Sequence, residues 1–535
     1  MVPNRRIPVR LITAFTVVAG LAFLGGSAKA RQNLRTRGGS HLFDQVRQLV
    51  AADAVDSISA DSLDVKAATG LVNQLGDPYA SLFSRTAMAG FLRNDIGNAY
   101  GGVGISIDRQ PAGIAVAGVF HGSPADLGGV LPGDEIIAVD GRSIASVPSD
   151  HVSQLLVGEP GSSVDVTFTR PGVTAPIRTR LVRAVVRPAA VPFSMVMDDH
   201  TGYIPLQRFN ETADSEMATA LVGLRRQGAR SFVIDLRGNP GGDVSEALAV
   251  SNLFLQPGTE IAQLRQRGLP AQTYRARIKP LAATEPVVLL VDHFTASASE
   301  IVAGALQDHD RAVIVGETTY GKGVVQSLFS LEHGYALKLT TGRWYTPSGR
   351  SIQRAHTFDG ATVSDTPVDP LADTLSAARR PAFKSDHGRM VYGGGGIAPD
   401  VTIAADTLTN AERKLARAFA PKASQTRTAL FDIARELRPS VHEDFVVLPS
   451  WRDAFYRKLR DGGVDVDRAT FDAAEPWVNH LLEQQVATLA FGDSGAFRRA
   501  APEDAPLRRA LTMLHRASTE SQLWNVAEHR ASSGI

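Results

Sequence analysis

This 535-residue sequence contains no cysteine, and neither sign of charge is in clear excess. Without cysteine, disulfides, thiolate metal sites and a cysteine nucleophile are all excluded. The 56 Lys and Arg residues almost balance the 55 Asp and Glu residues, so no net field favours nucleic acid or an anionic surface as a partner. The length exceeds what one hydrophobic core supports, and several domains are therefore predicted.

The apolar run near the N-terminus is short. A basic segment ending at Arg10 precedes the uncharged stretch 11–24, and small residues then lead to Ala30. This order predicts an export signal over residues 1–30 that is cut after Ala30. The alternative is an uncleaved membrane anchor, but the stretch is shorter than the roughly 20 residues that span a bilayer. Both interpretations place the body of the chain outside the cytoplasm, either in the periplasm or secreted.

Helical periodicity marks both ends of the remaining chain. Within residues 31–95, apolar residues such as Leu42 and Val46 are spaced to share one helical face. Gly76-Asp77-Pro78 follows, and its proline cannot continue a helix. Residues 406–535 show the same helical spacing and carry no pattern that suggests chemistry. We therefore predict a small N-terminal and a larger C-terminal helical region.

Residues 96–190 have the pattern of short strands joined by glycine-rich turns. The run Gly101-Gly102-Val103-Gly104-Ile105 leads into an alternating strand, so it cannot be a dinucleotide fingerprint, in which a helix opens on the glycines. Together with Gly122-Ser123-Pro124 and Gly133-Asp134, the run resembles a PDZ domain. In that family the glycine-rich turn binds the C-terminal carboxylate of a peptide, which adds a strand to the sheet edge. The resemblance implies that residues 101 to 105 form this carboxylate loop.

Residues 191–405 alternate between strand and helix patterns, which predicts an α/β layered core. The run 287–291 is wholly apolar, as in a strand covered on both faces. Ser297 follows at the predicted start of a helix, where unpaired backbone N–H groups favour negative charge. A second apolar run, 312–315, leads to Lys322 between two glycines. If the two strands are parallel neighbours, Ser297 and Lys322 meet at one edge of the sheet.

Serine and lysine together can form a nucleophile and its base. A serine hydroxyl becomes nucleophilic when a base accepts its proton, and a neutral lysine can be that base. Because the ordinary pKa of lysine is about 10.4, Lys322 needs burial to lower its pKa. Gln326 is a candidate to orient the lysine, but residues four apart are about 13 Å apart in a strand and about 6 Å apart in a helical turn. That role requires segment 322–326 to curl, whereas its two valines favour a strand.

Three other interpretations compete for the same residues. Ser297 and Glu300 fit a capping box, in which the serine serves only to cap a helix. The segment 316–322 matches most of a phosphate-binding loop, but Gly323 stands where that motif needs Ser or Thr. Asp292-His293 suggests a Ser-His-Asp triad, yet residues this close to the serine in sequence would point away from it. Lys322 at the end of the neighbouring strand favours the Ser-Lys interpretation over all three.

The region from about residue 77 to 400 resembles the C-terminal processing peptidases, also called tail-specific proteases, which use a Ser-Lys dyad. Position by position, Ser297 matches the nucleophile, Lys322 the general base and Gln326 the residue that orients the lysine. The resemblance also implies an oxyanion hole formed by the backbone N–H of Ala298 and of one glycine in Gly241-Gly242. The motifs that carry the resemblance, besides the PDZ turns, are Gly76-Asp77-Pro78-Tyr79, Asp235-Leu236-Arg237-Gly238-Asn239-Pro240-Gly241-Gly242, Ser297-Ala298-Ser299-Glu300, Gly321-Lys322-Gly323 with Gln326, and Gly396-Ile397-Ala398-Pro399-Asp400.

The resemblance implies a multidomain protein with an α/β layered protease core, an inserted PDZ domain and helical N- and C-terminal regions. Its expected function is exported serine endopeptidase, without cofactor or metal, acting on protein or peptide substrates with free C-termini. The alternative from another class is a catalytically inactive PDZ adaptor or chaperone. The expected partners include a membrane through an uncleaved anchor and a second copy of the chain, but not nucleic acid. The predicted domains are 1–30 signal or anchor, 31–95 helical, 96–190 PDZ, 191–405 protease core and 406–535 helical.

Overall fold

The computed structural model describes residues 40–91, 100–110, 113–145, 147–170, 173–197, 200–354, 380–403 and 408–531. The export signal predicted over residues 1–30 lies outside this part of the chain. Within the described ranges, none of the helices combines the length and the apolar character that crossing a membrane requires.

The N-terminal region forms the helices that its periodicity predicts, but their apolar side chains face outward. Leu42 is 71% exposed and Leu49 is 61% exposed. After the second helix, the Asp77 carboxylate accepts hydrogen bonds from the backbone N–H of Tyr79 (3.0 Å) and of Thr340 (3.3 Å). The proline turn is thereby attached to the core. The elements of this region are α1 Ser40–Asp53, α2 Ala60–Asn73, β1 Ser81–Phe83 and α3 Arg85–Phe91.

The next region is the β-rich domain expected from the glycine-rich turns. Its elements are β2 Tyr100–Gly102, β3 Ile105–Gln110, β4 Gly113–Val119, α4 Pro124–Leu127, β5 Glu135–Val139, β6 Arg142–Ser143, α5 Ser149–Leu156, β7 Ser163–Arg170, β8 Val173–Val182 and β9 Ala184–Val186. Five strands form an antiparallel path in the order β3-β4-β5-β7-β8, with β6 paired to β5. Its core includes Ile114, Ile136 and Phe168. β3 is therefore an edge strand, and α5 packs beside it.

The layered core follows. Its elements are β10 Met195–Val196, β11 Thr201–Pro205, α6 Ala213–Arg226, β12 Ser231–Asp235, α7 Val244–Asn252, β13 Glu260–Gln266, β14 Gln272–Arg275, β15 Val287–Val291, α8 Ala298–Asp308, β16 Val313–Gly316, β17 Val324–Ser330, β18 Ala336–Tyr345, β19 Ala382–Lys384, β20 Met390–Tyr392 and β21 Val401–Thr402. The central sheet has the order β10-β11-β12-β15-β16-β21, parallel except for β10. A second sheet, β1-β18-β13-β14 with β17 on β18, flanks it.

The C-terminal region is helical, as predicted. Its helices are α9 Asn410–Phe419, α10 Ala423–Leu437, α11 Pro449–Asp461, α12 Arg468–Ala473, α13 Glu475–Ala500, α14 Ala505–His515 and α15 Glu520–Ala531. Helices α9 to α13 share an apolar cluster that includes Phe419, Phe455 and Leu482. The last two helices instead pack on the central sheet of the core.

Strand β15 explains why the central sheet needs helices on both faces. Successive side chains of a strand point to opposite faces. Val287 and Leu289 lie in the cluster that contains α6, α7 and α8, whereas Val288 and Leu290 lie in the cluster that contains α14 and α15. The wholly apolar run is thus buried on both sides, and C-terminal helices supply the second side.

Candidate active site

The two buried strands β15 and β16 are parallel neighbours, with Val288 paired to Val313 and Val291 to Gly316. Their carboxyl ends therefore meet at one edge of the sheet, as expected from the sequence. Ser297 follows β15 at the N-cap of α8 and has a positive φ of 56°. A non-glycine residue in this region carries about 1 to 3 kcal/mol of strain, which is found most often at functional sites.

A cavity of about 890 Å³ lies at this edge. Ser297, Lys322 and Gln326 all line it, and so do Gly241 and Gly242. The structure thus brings together five of the residues that the sequence predicted for the site. Ala298, the sixth, is the first residue of α8.

Lys322 has the environment that a neutral lysine needs. Burial lowers the pKa of Lys322, the nearby ammonium of Lys338 lowers it further, and the Glu300 carboxylate opposes the shift. The ammonium lies 5.1 Å from the centre of the Tyr79 ring. Among the contacts of the described residues, no hydrogen bond joins its Nζ atom to Ser297 or to Gln326. A cation is attracted to the face of an aromatic ring, so this contact favours the charged lysine and acts against the effect of burial.

Gln326 lies in a strand, as its neighbouring valines favoured, and segment 322–326 does not form a helical turn. Strand β17 begins at Val324, and its pairing with β18 shifts register between Val325 and Gln326. The Gln326 Nε2 donates to Thr340 Oγ1 at 3.4 Å. Gln326 and Lys322 therefore share the cavity without the helical curl, and orientation of the lysine by Gln326 stays a prediction.

The predicted oxyanion hole needs two backbone N–H groups without a hydrogen-bond partner. Gly241 donates its own N–H to Asn239 Oδ1 at 2.9 Å, which leaves Gly242 as the glycine of this pair with a free donor. Within the described part of the chain, no hydrogen bond uses the N–H of Gly242 or of Ala298. A Cβ atom on Gly241 would lie 2.9 Å from Ala298 N and from Ser297 Cβ, so only glycine permits this approach.

Glu300 has a larger part than the capping pattern suggested. Its side chain caps the Ser297 turn, because the N–H of Ser297 donates to Glu300 Oε2 at 2.8 Å. The same carboxylate accepts from Thr319 Oγ1 (2.5 Å), from Gly321 N (2.7 Å) and from Lys322 N (2.9 Å). Burial raises the pKa of Glu300, and these four donors oppose that shift. One buried side chain therefore connects the serine turn to the lysine loop.

Comparisons with known proteins agree with this geometry. The sequence model of peptidase family S41 matches residues 200–360, and the PDZ domain model matches residues 95–169. The chain is 31% identical over 347 residues to the carboxy-terminal processing protease CtpA of Bacillus subtilis, covering 64% of this chain and 74% of that protein. The chain belongs to the carboxy-terminal processing proteases of family S41. It is therefore a serine peptidase with a PDZ domain.

Two further similarities extend over much of this processing protease. A carboxy-terminal-processing protease of Bartonella bacilliformis is 34% identical over 281 residues, which cover 52% of this chain and 64% of the relative. A solved structure of a photosystem II D1 C-terminal processing protease is 25% identical and covers 69% of this chain and 88% of its own, with a TM-score of 0.38.

The triad and phosphate-binding-loop interpretations do not fit the structure of this processing protease. His293 pairs with Glu317 at 3.1 Å. Among the described hydrogen bonds, neither His293 nor Asp292 contacts Ser297. Both oxygens of Asp292 instead accept from the N–H of Gly238 at 3.0 Å. Lys322 leads into strand β17, whereas a phosphate-binding loop leads into a helix.

The predicted carboxylate loop of the PDZ domain is a turn between two strands. Gly101 and Gly102 belong to β2, Val103 and Gly104 form the turn, and Ile105 begins edge strand β3. The carbonyl of Val103 accepts from Ala125 N (2.9 Å), and that of Gly104 accepts from Phe120 N (2.9 Å). These bonds hold the turn beside the open edge of the sheet.

Proposed function

We propose that this protein is an exported serine endopeptidase that recognises protein C-termini through its PDZ domain and cleaves with a dyad of Ser297 and Lys322. The observation that carries the proposal is one cavity lined by a strained serine, a partly buried lysine and Gly242, whose N–H has no partner among the described hydrogen bonds. A PDZ adaptor or chaperone needs none of these features, so the inactive alternative is disfavoured.

The proposed reaction begins when neutral Lys322 accepts the proton of the Ser297 hydroxyl. The Ser297 Oγ atom forms a bond to the carbonyl carbon of the substrate, and the carbonyl electron pair moves onto its oxygen. The N–H groups of Gly242 and Ala298 stabilise that oxyanion. Lys322 then gives its proton to the leaving amine, which breaks the peptide bond and leaves an acyl-serine. A water molecule, deprotonated by Lys322, hydrolyses the ester and restores Ser297.

Substrate recognition is proposed to occur at the open edge of the PDZ sheet. An unpaired edge strand such as β3 can pair with an extended peptide, and the turn at Val103 and Gly104 would bind its C-terminal carboxylate. A solved PDZ domain of a carboxy-terminal protease from Vibrio cholerae, described as in complex with peptide, is 26% identical over 17% of this chain, with a TM-score of 0.16. Export is supported by the basic and then apolar segment that ends near Ala30.

A free C-terminus is expected to decide which proteins are cleaved. A folded test protein with an unstructured tail should be cut upstream of its C-terminus, and amidation of that terminus should weaken binding by about 1 to 3 kcal/mol. The measurement is the affinity and the cleavage products of the acid and amide forms. Equal binding of both forms contradicts carboxylate recognition, and binding without any cleavage favours the adaptor alternative.

The pH profile tests whether Gln326 contacts the base. Gln326→Glu would place a carboxylate beside the Lys322 ammonium, stabilise the charged form and raise its pKa. Because only neutral lysine accepts the Ser297 proton, the rising limb of kcat/KM should move to higher pH. The measurement compares kcat/KM against pH for the wild type and the variant on one peptide. An unshifted limb would show that Gln326 does not face the lysine.

A further inference from the structure

The loop between β12 and α7 presents Gly242, and several parts of the chain hold it. Asp292 accepts from Gly238 N, and the Asn239 side chain donates to Leu206 O at 2.7 Å. The carbonyl of Asn239 accepts from Ser299 Oγ at 3.1 Å. All these partners belong to the core and lie within residues 191–405.

Arg237 adds a partner from outside the core. Its guanidinium donates to both oxygens of Asp504, from Nη1 at 3.0 Å and from Nη2 at 2.7 Å. The same guanidinium donates to Asp235, with Nη2 and Oδ2 separated by 2.6 Å. The arginine and Asp504 side chains are only 24% and 19% exposed. Arg237 is therefore held between two carboxylates, one at the end of β12 and one from the C-terminal region.

Asp504 is itself rigidly held. It is the N-cap of α14 and accepts from Leu507 N at 2.9 Å. Leu507 and Met513 of α14 are fully buried against the central sheet. The adjacent α13 contributes Phe497, whose ring stacks on that of Tyr203 at 4.0 Å. The carboxylate that binds Arg237 therefore belongs to the layer of C-terminal helices packed on the central sheet.

We propose that Asp504, acting through Arg237, is a positioning residue for the oxyanion hole. The pair fixes the start of the loop, five residues before Gly242, so that the Gly242 N–H is aimed at the oxyanion. This inference rests on the proposed function, because it assigns the C-terminal region a part in the same reaction. The region would then contribute to the chemical step as well as covering the sheet.

The alternative is that the contact between Arg237 and Asp504 only stabilises the fold. A stabilising role and a positioning role predict different kinetics. A merely structural pair lowers the amount of folded enzyme and leaves kcat per folded molecule unchanged. A positioning pair lowers kcat and leaves KM nearly unchanged, because the oxyanion forms only in the transition state. Loss of one oxyanion donor costs about 100- to 1000-fold in kcat, and a misaimed donor costs less.

The variant Asp504→Asn weakens the contact to Arg237 and keeps the helix cap, so it tests the two roles of Asp504 separately. Asparagine caps helices as well as aspartate does, so α14 keeps its N-cap. Its Oδ1 can still accept from Leu507, but its Nδ2 would face the Nη2 donor of Arg237. We expect kcat to fall about 10- to 100-fold, with KM within about 2-fold of the wild type. The matched control is Asp467→Asn. Asp467 is also a helix N-cap, since it precedes α12 and accepts from Thr470 N at 2.7 Å.

Three measurements decide the inference. A peptide aldehyde forms an adduct with Ser297 that places an oxygen in the oxyanion hole. Its affinity for Asp504→Asn should fall by the same factor as kcat. The uncleaved peptide should bind Ser297→Ala with and without Asp504→Asn equally well. Arg237→Lys should lower kcat at least as much, because it also weakens the contact to Asp235. Adding Asp504→Asn to it should change little, because both variants act on the contact between Arg237 and Asp504. The Arg237→Lys result stands by itself if Asp504→Asn does not fold.

The inference is overturned if kcat of folded Asp504→Asn equals that of the wild type, if only KM changes, or if Asp467→Asn loses as much. Failure of the proposed function would look different. In that case Ser297→Ala would retain cleavage, whatever the result at Asp504.

Discussion

Ser297→Ala and Lys322→Met are each expected to lower kcat by about 10⁴-fold or more, and the double variant should be no slower than the slower single variant. Serine and lysine act as one unit, because neither the hydroxyl nor its base has a function without the other. Methionine is unbranched like lysine, is one atom shorter and carries no charge. The measurement is kcat on one peptide for the wild type, both single variants and the double variant.

Lys322→Arg is the control for charge and should be as inactive as Lys322→Met. Arginine keeps a positive charge but does not give up its proton in proteins. Folding should survive in Lys322→Met, because the lowered pKa of Lys322 means that burial of the charged form disfavours the native state. That cost is fully present below the lowered pKa of folded Lys322 and disappears as pH rises to the ordinary lysine pKa, so Tm of Lys322→Met should match or exceed that of the wild type near neutral pH. Substantial hydrolysis by Lys322→Arg would remove Lys322 as the base.

Glu300→Gln is expected to impair both the reaction and the fold. Each oxygen of Glu300 accepts two hydrogen bonds, and the amide group of glutamine would oppose two of those donors. Leaving two buried donors unsatisfied should lower the free energy of unfolding by about 2 to 5 kcal/mol. Because the lost hydrogen bonds hold the Ser297 turn and the Lys322 loop in place, kcat should also fall by about 100-fold.

Glu317→Gln provides a control for the Glu300 prediction in the neighbouring loop. Glu317 is also buried, and one contact of its side chain is with His293 at 3.1 Å. Denaturant unfolding and kcat should be measured for both variants under conditions in which each is folded. A Glu300→Gln enzyme with wild-type kcat would show that the carboxylate is not needed to align the two loops.

The strands of the core could be predicted because burial on both faces leaves a clear pattern. The run 287–291 and the run 312–315 became β15 and β16, and parallel pairing brought Ser297 and Lys322 to one edge. The position of Gln326 was harder to predict. It depends on a register shift in the pairing of β17 with β18, which the local sequence does not encode. The strand propensity of Val324 and Val325 was the correct local signal.

Partners distant in sequence could not be predicted in this way. Asp504 lies 267 positions from Arg237, and an aspartate before a helical pattern indicates only a cap. Glu300 was recognised as a capping residue, but its contacts with Gly321 and Lys322 depend on the crossover from α8 to β16 and the loop that follows. The exposed apolar side chains of α1 likewise follow from tertiary placement, because helical spacing predicts a face and not what covers it.

The residues that line the cavity are themselves contacted from nearly the whole length of the described chain. Tyr79 packs on Lys322 near one end of the described residues, and Asp504 grips Arg237 near the other. A chain truncated before α14 would keep Ser297, Lys322 and Gly242 but lose the Asp504 contact to Arg237, so the proposed positioning role predicts that truncation lowers peptidase activity although the residues around the cavity are unchanged.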